Sequence, residues 1–173
     1  MRLPAGPYQP SWSAVIDASL TRSQSRIEAA SVVSLRAVER VTAHAGRFSA
    51  YFASIRPTPF LDDTTTKNVI VHEGRLSGIV DVDWLCFGDP LFTVALTRTA
   101  LLSADQDPEY TDHWCRLLRL SADQARVIHF YSALFCADFL SDFGQRFNRE
   151  VVEVDSKRLA QLEKILDDEL SEI

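Results

Sequence analysis

Residues 60–90 read FLDDTTTKNVIVHEGRLSGIVDVDWLCFGDP, and a group of acidic residues with one asparagine lies around a short loop and hairpin in this stretch. Two apolar runs within it, Asn68 to His72 and Leu76 to Asp81, are rich in Val, Ile and Leu, and Glu73 and Gly74 stand between them. Apolar, β-branched runs separated by two turn residues predict a β-hairpin.

The segments on both sides of this hairpin have helical periodicity. A first helix is expected to begin near Ser11, and a second, longer pattern includes Ile27 and Val38 and continues past a break at Gly46. The prolines at 57 and 59 should end it, because proline lacks an amide donor and favours extended backbone before it.

Beyond Pro90 the pattern predicts helices alone. Ser121 and Gln124 form a capping-box pair ahead of a long apolar stripe, and a last amphipathic helix is expected to begin at Ser156. We therefore expect residues 1–173 to form one domain of the α+β class, mainly α-helical, with a small β-hairpin.

Composition excludes several classes of function. The net charge is −6, which disfavours nucleic acid as a partner because such binding relies on Lys and Arg. The three cysteines are widely spaced and suggest neither a disulfide framework nor a metal site. With no secretory signal and no stretch long enough to span a bilayer, we expect a cytoplasmic protein that does not enter membranes.

Acidic residues and one asparagine are concentrated around the predicted hairpin. Asn68 opens the first strand and Asp81 closes the second, so a tight turn would return both to one end, where their oxygens could bind Mg²⁺. Asp63 lies on the preceding loop, where a carboxylate could accept a proton from an attacking hydroxyl. Asp83, Asp89 and Lys67 are expected to support this site.

These positions resemble the aminoglycoside phosphotransferase and choline-kinase-like family, whose catalytic loop reads HGDxxxxN and is followed by IDW or IDF and by GDP. Asp63 takes the place of the catalytic aspartate, Asn68 and Asp81 those of the metal ligands, and Gly88-Asp89-Pro90 (residues 88–90) that of the last motif. The resemblance implies the C-terminal lobe of a protein-kinase-like fold, with the hairpin carrying the metal ligands.

The same resemblance implies ATP and Mg²⁺ as cofactors and phosphoryl transfer to a hydroxyl of a small polar substrate. The acidic balance of the chain would suit a cationic substrate, and Asp138 and Asp142 could bind it, although a solvated helix face is the favoured interpretation of that pair. Two positions depart from the family pattern, because Leu61 replaces the usual histidine and Asp62 the usual glycine.

A strand-rich nucleotide lobe is missing from the sequence before Pro57, so whether the chain is an enzyme stays open at this point. We expect weak activity or none without that lobe. One alternative is a non-catalytic, pseudokinase-like binding or regulatory lobe. Another is self-association or a separate chain that supplies the missing lobe, which predicts an exposed apolar surface near the hairpin.

Overall fold

The computed structural model describes residues 9–82, 85–147 and 149–173, and within them the fold is α+β and mainly helical, as the sequence predicts. None of the helices in these residues is long and apolar enough to cross a membrane. The α-helices are α1 (Trp12–Ala30), α2 (Arg36–Ala45), α3 (Ser49–Ser54), α4 (Leu91–Ser103), α5 (Glu109–Leu118), α6 (Ala122–Ser141) and α7 (Ser156–Ser171).

The strands of the described residues pair into three separate two-stranded antiparallel sheets, β1 with β4, β2 with β3 and β5 with β6. The sheet β2–β3 is the predicted hairpin, whereas the other two were not predicted. The expectation of helices alone beyond Pro90 is therefore wrong. The strands are β1 (Thr58–Leu61), β2 (Val69–His72), β3 (Arg75–Ile79), β4 (Leu85–Gly88), β5 (Arg146–Phe147) and β6 (Glu150–Val151).

The hairpin turn is formed by Glu73 and Gly74, which both have positive φ, at 49° and 72°. This combination is typical of the two-residue turns that match the twist of antiparallel strands. Both strands are shorter than predicted, because Asn68 ends a 3₁₀ turn and Asp81, at φ 57°, lies beyond β3.

The helical pattern that was predicted to include both Ile27 and Val38 is divided between two helices. Ser31 adopts a left-handed conformation, with φ 53°, and its amide donates to the Ile27 carbonyl, which ends α1. The Ser31 hydroxyl also donates to the Glu28 carbonyl. The chain then turns before α2, so one continuous helix was a wrong prediction here.

Three helix starts agree with the sequence, the first being that of α1, where the Ser11 hydroxyl accepts from the Ala14 amide. Ser121 and Gln124 form the complete capping box at α6, each side chain bonding the backbone amide of the other residue. At α7 the Asp155 side chain accepts from the Lys157 and Arg158 amides, so the helix begins at Ser156. Such caps satisfy amides that have no partner within the helix.

Helix α6 lies at the centre of the molecule and packs against α1, α2, α4 and α7. Its residues from Val127 to Leu140 are nearly all buried, including Phe130, Tyr131 and Phe135, which are fully so. A helix that is apolar on all sides is expected in such a position. This core supports the loops that carry the polar residues.

Candidate functional site

The short sheet β1–β4 positions the polar loop that follows β1. Asp62 and Asp63 come directly after β1, and the loop is bonded to the start of α4. Thr93 donates its hydroxyl to the Asp62 carbonyl at 3.0 Å, and the hydroxyls of Thr64 and Thr93 lie 3.1 Å apart. Because α4 belongs to the core, these bonds hold the backbone of Asp62 and Asp63 in a defined place.

The carboxylate of Asp63 is held by its own loop. Its Oδ1 accepts from the Thr65 amide at 3.0 Å and from the Thr65 hydroxyl at 2.7 Å, and Lys67 Nζ lies 3.3 Å from Oδ2. Partial burial opposes ionisation, but the Thr65 bonds and the Lys67 charge outweigh it and lower the pKa of Asp63. At neutral pH this group is an ionised, oriented acceptor.

Asn68 is buried, with 5% exposure, and is bonded to the same loop. Its side-chain amide nitrogen donates to the Asp63 backbone carbonyl at 3.3 Å, and its own backbone carbonyl accepts from the Val80 amide at 2.9 Å. The second bond places Asp81, the next residue, at the Asn68 end of the hairpin, as the sequence predicts. Asp81 is exposed and has φ 57°, a backbone region where Asp is one of the more tolerated residues.

A cleft of about 350 Å³ opens beside Asp63. Asp63, Thr65 and Lys67 line one side, and residues of α1, α4, α6 and β5 line the rest. The lining is mixed, since apolar and aromatic side chains stand beside charged ones, which suits a small polar ligand. The lining residues from the helices and β5 are Arg26, Leu96, Ala100, Asp138, Phe139, Asp142 and Phe147.

Two carboxylates, one in the last turn of α6 and one directly after it, lie in this cleft and pair with arginines of α1. Asp138 is buried and pairs with Arg22 at 2.8 Å, while Asp142 pairs with Arg26 at 3.1 Å. Burial and the neighbouring Asp138 raise the pKa of Asp142, and Arg26 opposes the rise. A solvated face was therefore the wrong interpretation for Asp138, whose helix face packs on α1.

The arginines were missed in the sequence, although a signal was available. Arg22 and Arg26 are four residues apart on α1, and Asp138 and Asp142 have the same spacing at the end of α6, where Asp142 is the helical C-cap. Residues at this spacing share a helix face. Two such pairs of opposite charge could have suggested that the helices pack side by side at this level.

Asp89 has a supporting role that is structural. It is buried, and its Oδ2 accepts from the hydroxyls of Tyr51 and Tyr131, both at 2.9 Å. Its Oδ1 accepts from the Leu91 amide at 3.0 Å, at the start of α4. Trp12 donates its indole N–H to the Tyr131 hydroxyl at 2.6 Å, so the network joins β4 and α4 to α1, α3 and α6.

The other residues predicted for the site differ in where they lie relative to Asp63. Lys67 contacts Asp63, as described above, whereas Asp83 lies outside the described residues. Asn68 and Asp81 are not part of the cleft lining that contains Asp63. The structure thus brings Asp63, Lys67 and Asn68 together and places Asp81 next to Asn68 along the hairpin backbone.

The donor set has the chemistry that Mg²⁺ requires, although it is small. Across residues 9–82, 85–147 and 149–173 there is no group of three or more His, Cys, Asp or Glu side chains that could hold a metal. Magnesium, however, often takes only one or two protein oxygens and completes its shell with water and phosphate. An amide oxygen from Asn68 and an exposed carboxylate from Asp81 fit that pattern.

Comparison of the chain with protein-family models, with curated proteins and with solved structures gives no match.

Proposed function

We propose that this chain is the acceptor-binding, catalytic lobe of an ATP-dependent small-molecule phosphotransferase with a protein-kinase-like fold. The observation that carries the proposal is the bond from the Asn68 side chain to the Asp63 carbonyl, with Asp81 returned to the same end of the hairpin. The proposed catalytic aspartate and the two proposed metal ligands, identified by their spacing, thus belong to one local structure.

In this proposal Asp63 orients the hydroxyl of a substrate that occupies the cleft. Its lowered pKa makes it a weak base, so it would act mainly by positioning and would take the proton late, as the hydroxyl oxygen bonds to phosphorus. Thr65 holds Oδ1, which leaves Oδ2 for the substrate and requires Lys67 to move aside or share that oxygen.

Asn68 and Asp81 would hold Mg²⁺, which when bound would offset the charge of the nucleotide phosphates. Asp138 and Asp142 are already paired with Arg22 and Arg26, so the cleft offers groups of both charges, and Phe139 and Phe147 supply apolar contact. The acceptor class is therefore a small polar molecule that carries a hydroxyl, with amino alcohols among the candidates. ATP would need a binding surface in addition to these residues, because residues 9–57 form helices and no strand.

The metal site can be tested with Mn²⁺ as a paramagnetic substitute for Mg²⁺. In amide NMR spectra of the full chain with ATP present, we expect Mn²⁺ to broaden the resonances of Asn68, Val80 and Asp81 first. Asp81→Asn should abolish this local broadening. Asp105→Asn is the matched control, because Asp105 is also exposed and also has φ 57°. Uniform broadening, or broadening that survives Asp81→Asn, refutes the metal assignment.

Catalysis is tested with the purified 173-residue chain, Mg²⁺, ATP and a panel of amino alcohols, with phosphorylated product followed by ³¹P NMR. We expect little or no turnover, since the described residues contain no strand-rich nucleotide lobe. Robust Mg²⁺-dependent turnover that disappears in Asp63→Ala would refute the expectation of weak activity, while supporting the assigned role of Asp63.

A second candidate function, a non-catalytic binding lobe, is favoured by the partners that Asp63 already has. Thr65 occupies Oδ1 and Lys67 faces Oδ2, which is a satisfied arrangement without any substrate. Calorimetry with Mg²⁺ and ATP distinguishes the two candidate functions. Heat that is lost in Asp81→Asn supports the catalytic lobe, whereas no heat with nucleotide, together with binding of an amino alcohol, supports the binding lobe.

A further inference from the structure

Two partly exposed ion pairs line the cleft beside Asp63. Asp63 and Lys67 form one of them on the loop side, and Arg26 and Asp142 form the other on the helix side. Asp138, the remaining charged residue of the lining, is buried in its own salt bridge to α1. The charges that a ligand can reach in the cleft are therefore balanced.

The pair of Arg26 and Asp142 keeps bonding capacity on both of its members. Arg26 Nη1 donates to Asp142 Oδ1 at 3.1 Å, and each side chain is 30% exposed. Within the part of the chain that the structure describes, Arg26 Nε and Nη2 have no acceptor and Asp142 Oδ2 has no donor. Because a guanidinium has five N–H donors and a carboxylate two acceptor oxygens, each member can bind a further group without breaking the pair.

An ion pair with free donors and a free acceptor selects a ligand that carries both charges. An ammonium group alone is attracted by Asp142 but repelled by Arg26, and a carboxylate alone meets the opposite combination. A zwitterion that lies antiparallel to the pair gains both contacts, its carboxylate on Arg26 and its ammonium on Asp142. The ammonium also favours the ionised form of Asp142, whose pKa is raised by burial and by Asp138.

The rest of the lining suits the uncharged part of such a ligand. Leu96 and Ala100 of α4, together with Phe139 and Phe147, offer apolar contact to a short carbon chain. On the loop side, Asp63 Oδ2 is an acceptor for a hydroxyl once Lys67 moves aside or shares that oxygen. The cleft volume of about 350 Å³ limits the ligand to a small molecule.

We propose that this cleft binds a hydroxylated zwitterion, a small molecule with an ammonium and a carboxylate at one end and a hydroxyl at the other. Arg26 and Asp142 recognise the charged end, and the hydroxyl lies at Asp63. The placement of the hydroxyl rests on the proposed phosphotransferase function, whereas recognition by the ion pair does not. The zwitterion is a narrower class than the hydroxylated acceptors considered above.

Calorimetry of the full chain without ATP or Mg²⁺ tests the proposal, with L-serine and L-homoserine as probes of different chain length. Each is compared with the amino alcohol that lacks the carboxylate and with the hydroxy acid that lacks the amine. For homoserine these analogues are 3-aminopropanol and γ-hydroxybutyrate. We expect homoserine, serine or both to bind about tenfold or more tightly than either analogue, because each analogue loses one charge-assisted contact and is repelled by the group left over.

Removing either member of the pair should change which ligand is preferred. Arg26→Gln leaves Asp142 without its partner, so this variant should bind 3-aminopropanol more tightly than homoserine. Asp142→Asn leaves the arginine unpaired and should favour γ-hydroxybutyrate in the same way. Arg40→Gln is the matched control, because Arg40 also pairs with an aspartate, Asp167, but does not line the cleft. A purely structural role of the pair would lower the binding of all the probes alike, and circular dichroism checks that each variant is folded.

Three results would each overturn the proposal: a wild type that binds neither amino acid, one that binds the amino acids no better than their analogues, or variants that keep the wild-type preference. Failure of the phosphotransferase function gives a different result, in which Mn²⁺ broadening survives Asp81→Asn while the preference for the zwitterion is kept. Local broadening that Asp81→Asn abolishes, without any preference for the zwitterion, refutes the present inference alone.

Discussion

Replacing Tyr131 by phenylalanine should be among the most costly single-atom changes in the core. The ring is fully buried, and its hydroxyl both donates to Asp89 Oδ2 at 2.9 Å and accepts from the Trp12 indole at 2.6 Å. Without it, a buried carboxylate loses one of its donors and a buried indole N–H loses its acceptor. A bond to a charged group contributes about 1.5–3 kcal/mol, and an unsatisfied donor costs about 1–3 kcal/mol.

We therefore expect Tyr131→Phe to lower the free energy of unfolding by about 3–5 kcal/mol. Tyr51→Phe is the internal comparison, since it removes a bond of the same 2.9 Å length to the same oxygen from a ring that is only partly buried. That change should cost about 1–1.5 kcal/mol. Urea unfolding followed by circular dichroism measures both.

If Tyr131→Phe changes stability by less than 1 kcal/mol, or if the two variants cost the same, the network does not have the role argued for it. A double variant gives an additional check, because Asp89 Oδ2 would then lose both hydroxyl donors. Its cost should exceed the sum of the single costs, since the second loss leaves the charge without a tyrosine partner on that oxygen.

Three further predictions concern single positions. Gly88→Ala should cost about 3 kcal/mol or more by urea unfolding, because its Cβ would lie 1.9 Å from the Trp12 ring, whereas Gly46→Ala meets nothing within 4 Å and should be neutral or stabilising. Asp81→Gly should exceed Asp81→Ala in stability by about 1 kcal/mol, since alanine is strained at φ 57°, while both lose Mn²⁺ binding; equal stability would contradict the backbone argument. Because the folded pKa of Asp63 lies below the unfolded value of 3.8, its stabilisation is present above pH 3.8 and is lost as the pH falls through the folded pKa. Urea unfolding between pH 2 and 7 should therefore show a smaller acid-range slope in Asp63→Asn, and an unchanged slope would count against the Thr65 and Lys67 contacts.

The elements that sequence predicted correctly are those with local signals. The capping box at Ser121 and the turn at Glu73 and Gly74 are each specified by residues that are neighbours along the chain. The break at Ser31 was missed because serine is an uncommon residue in the left-handed conformation, so periodicity alone extended the helix across it.

The pairing of β1 with β4 was missed for a different reason. Phe60 lies opposite Cys86, twenty-six positions later, and neither strand alternates clearly between apolar and polar residues. Such pairing depends on tertiary contacts, which local propensity does not encode. The same limitation applies to the cleft, because the arginines that face Asp138 and Asp142 come from α1, more than a hundred residues earlier.

The candidate site joins two parts of the molecule that are stabilised in different ways. The loop of Asp63 is fixed to the core through Thr93 of α4, whose first turn is held in turn by Asp89. The hairpin is exposed over much of its length, and a two-stranded hairpin is only marginally stable alone. Asn68 connects the loop to the hairpin, because its side-chain amide donates to the Asp63 carbonyl and its backbone carbonyl accepts from the Val80 amide. A ligand that bridges Asp63 and Asp81 would therefore stabilise the hairpin more than it stabilises the core.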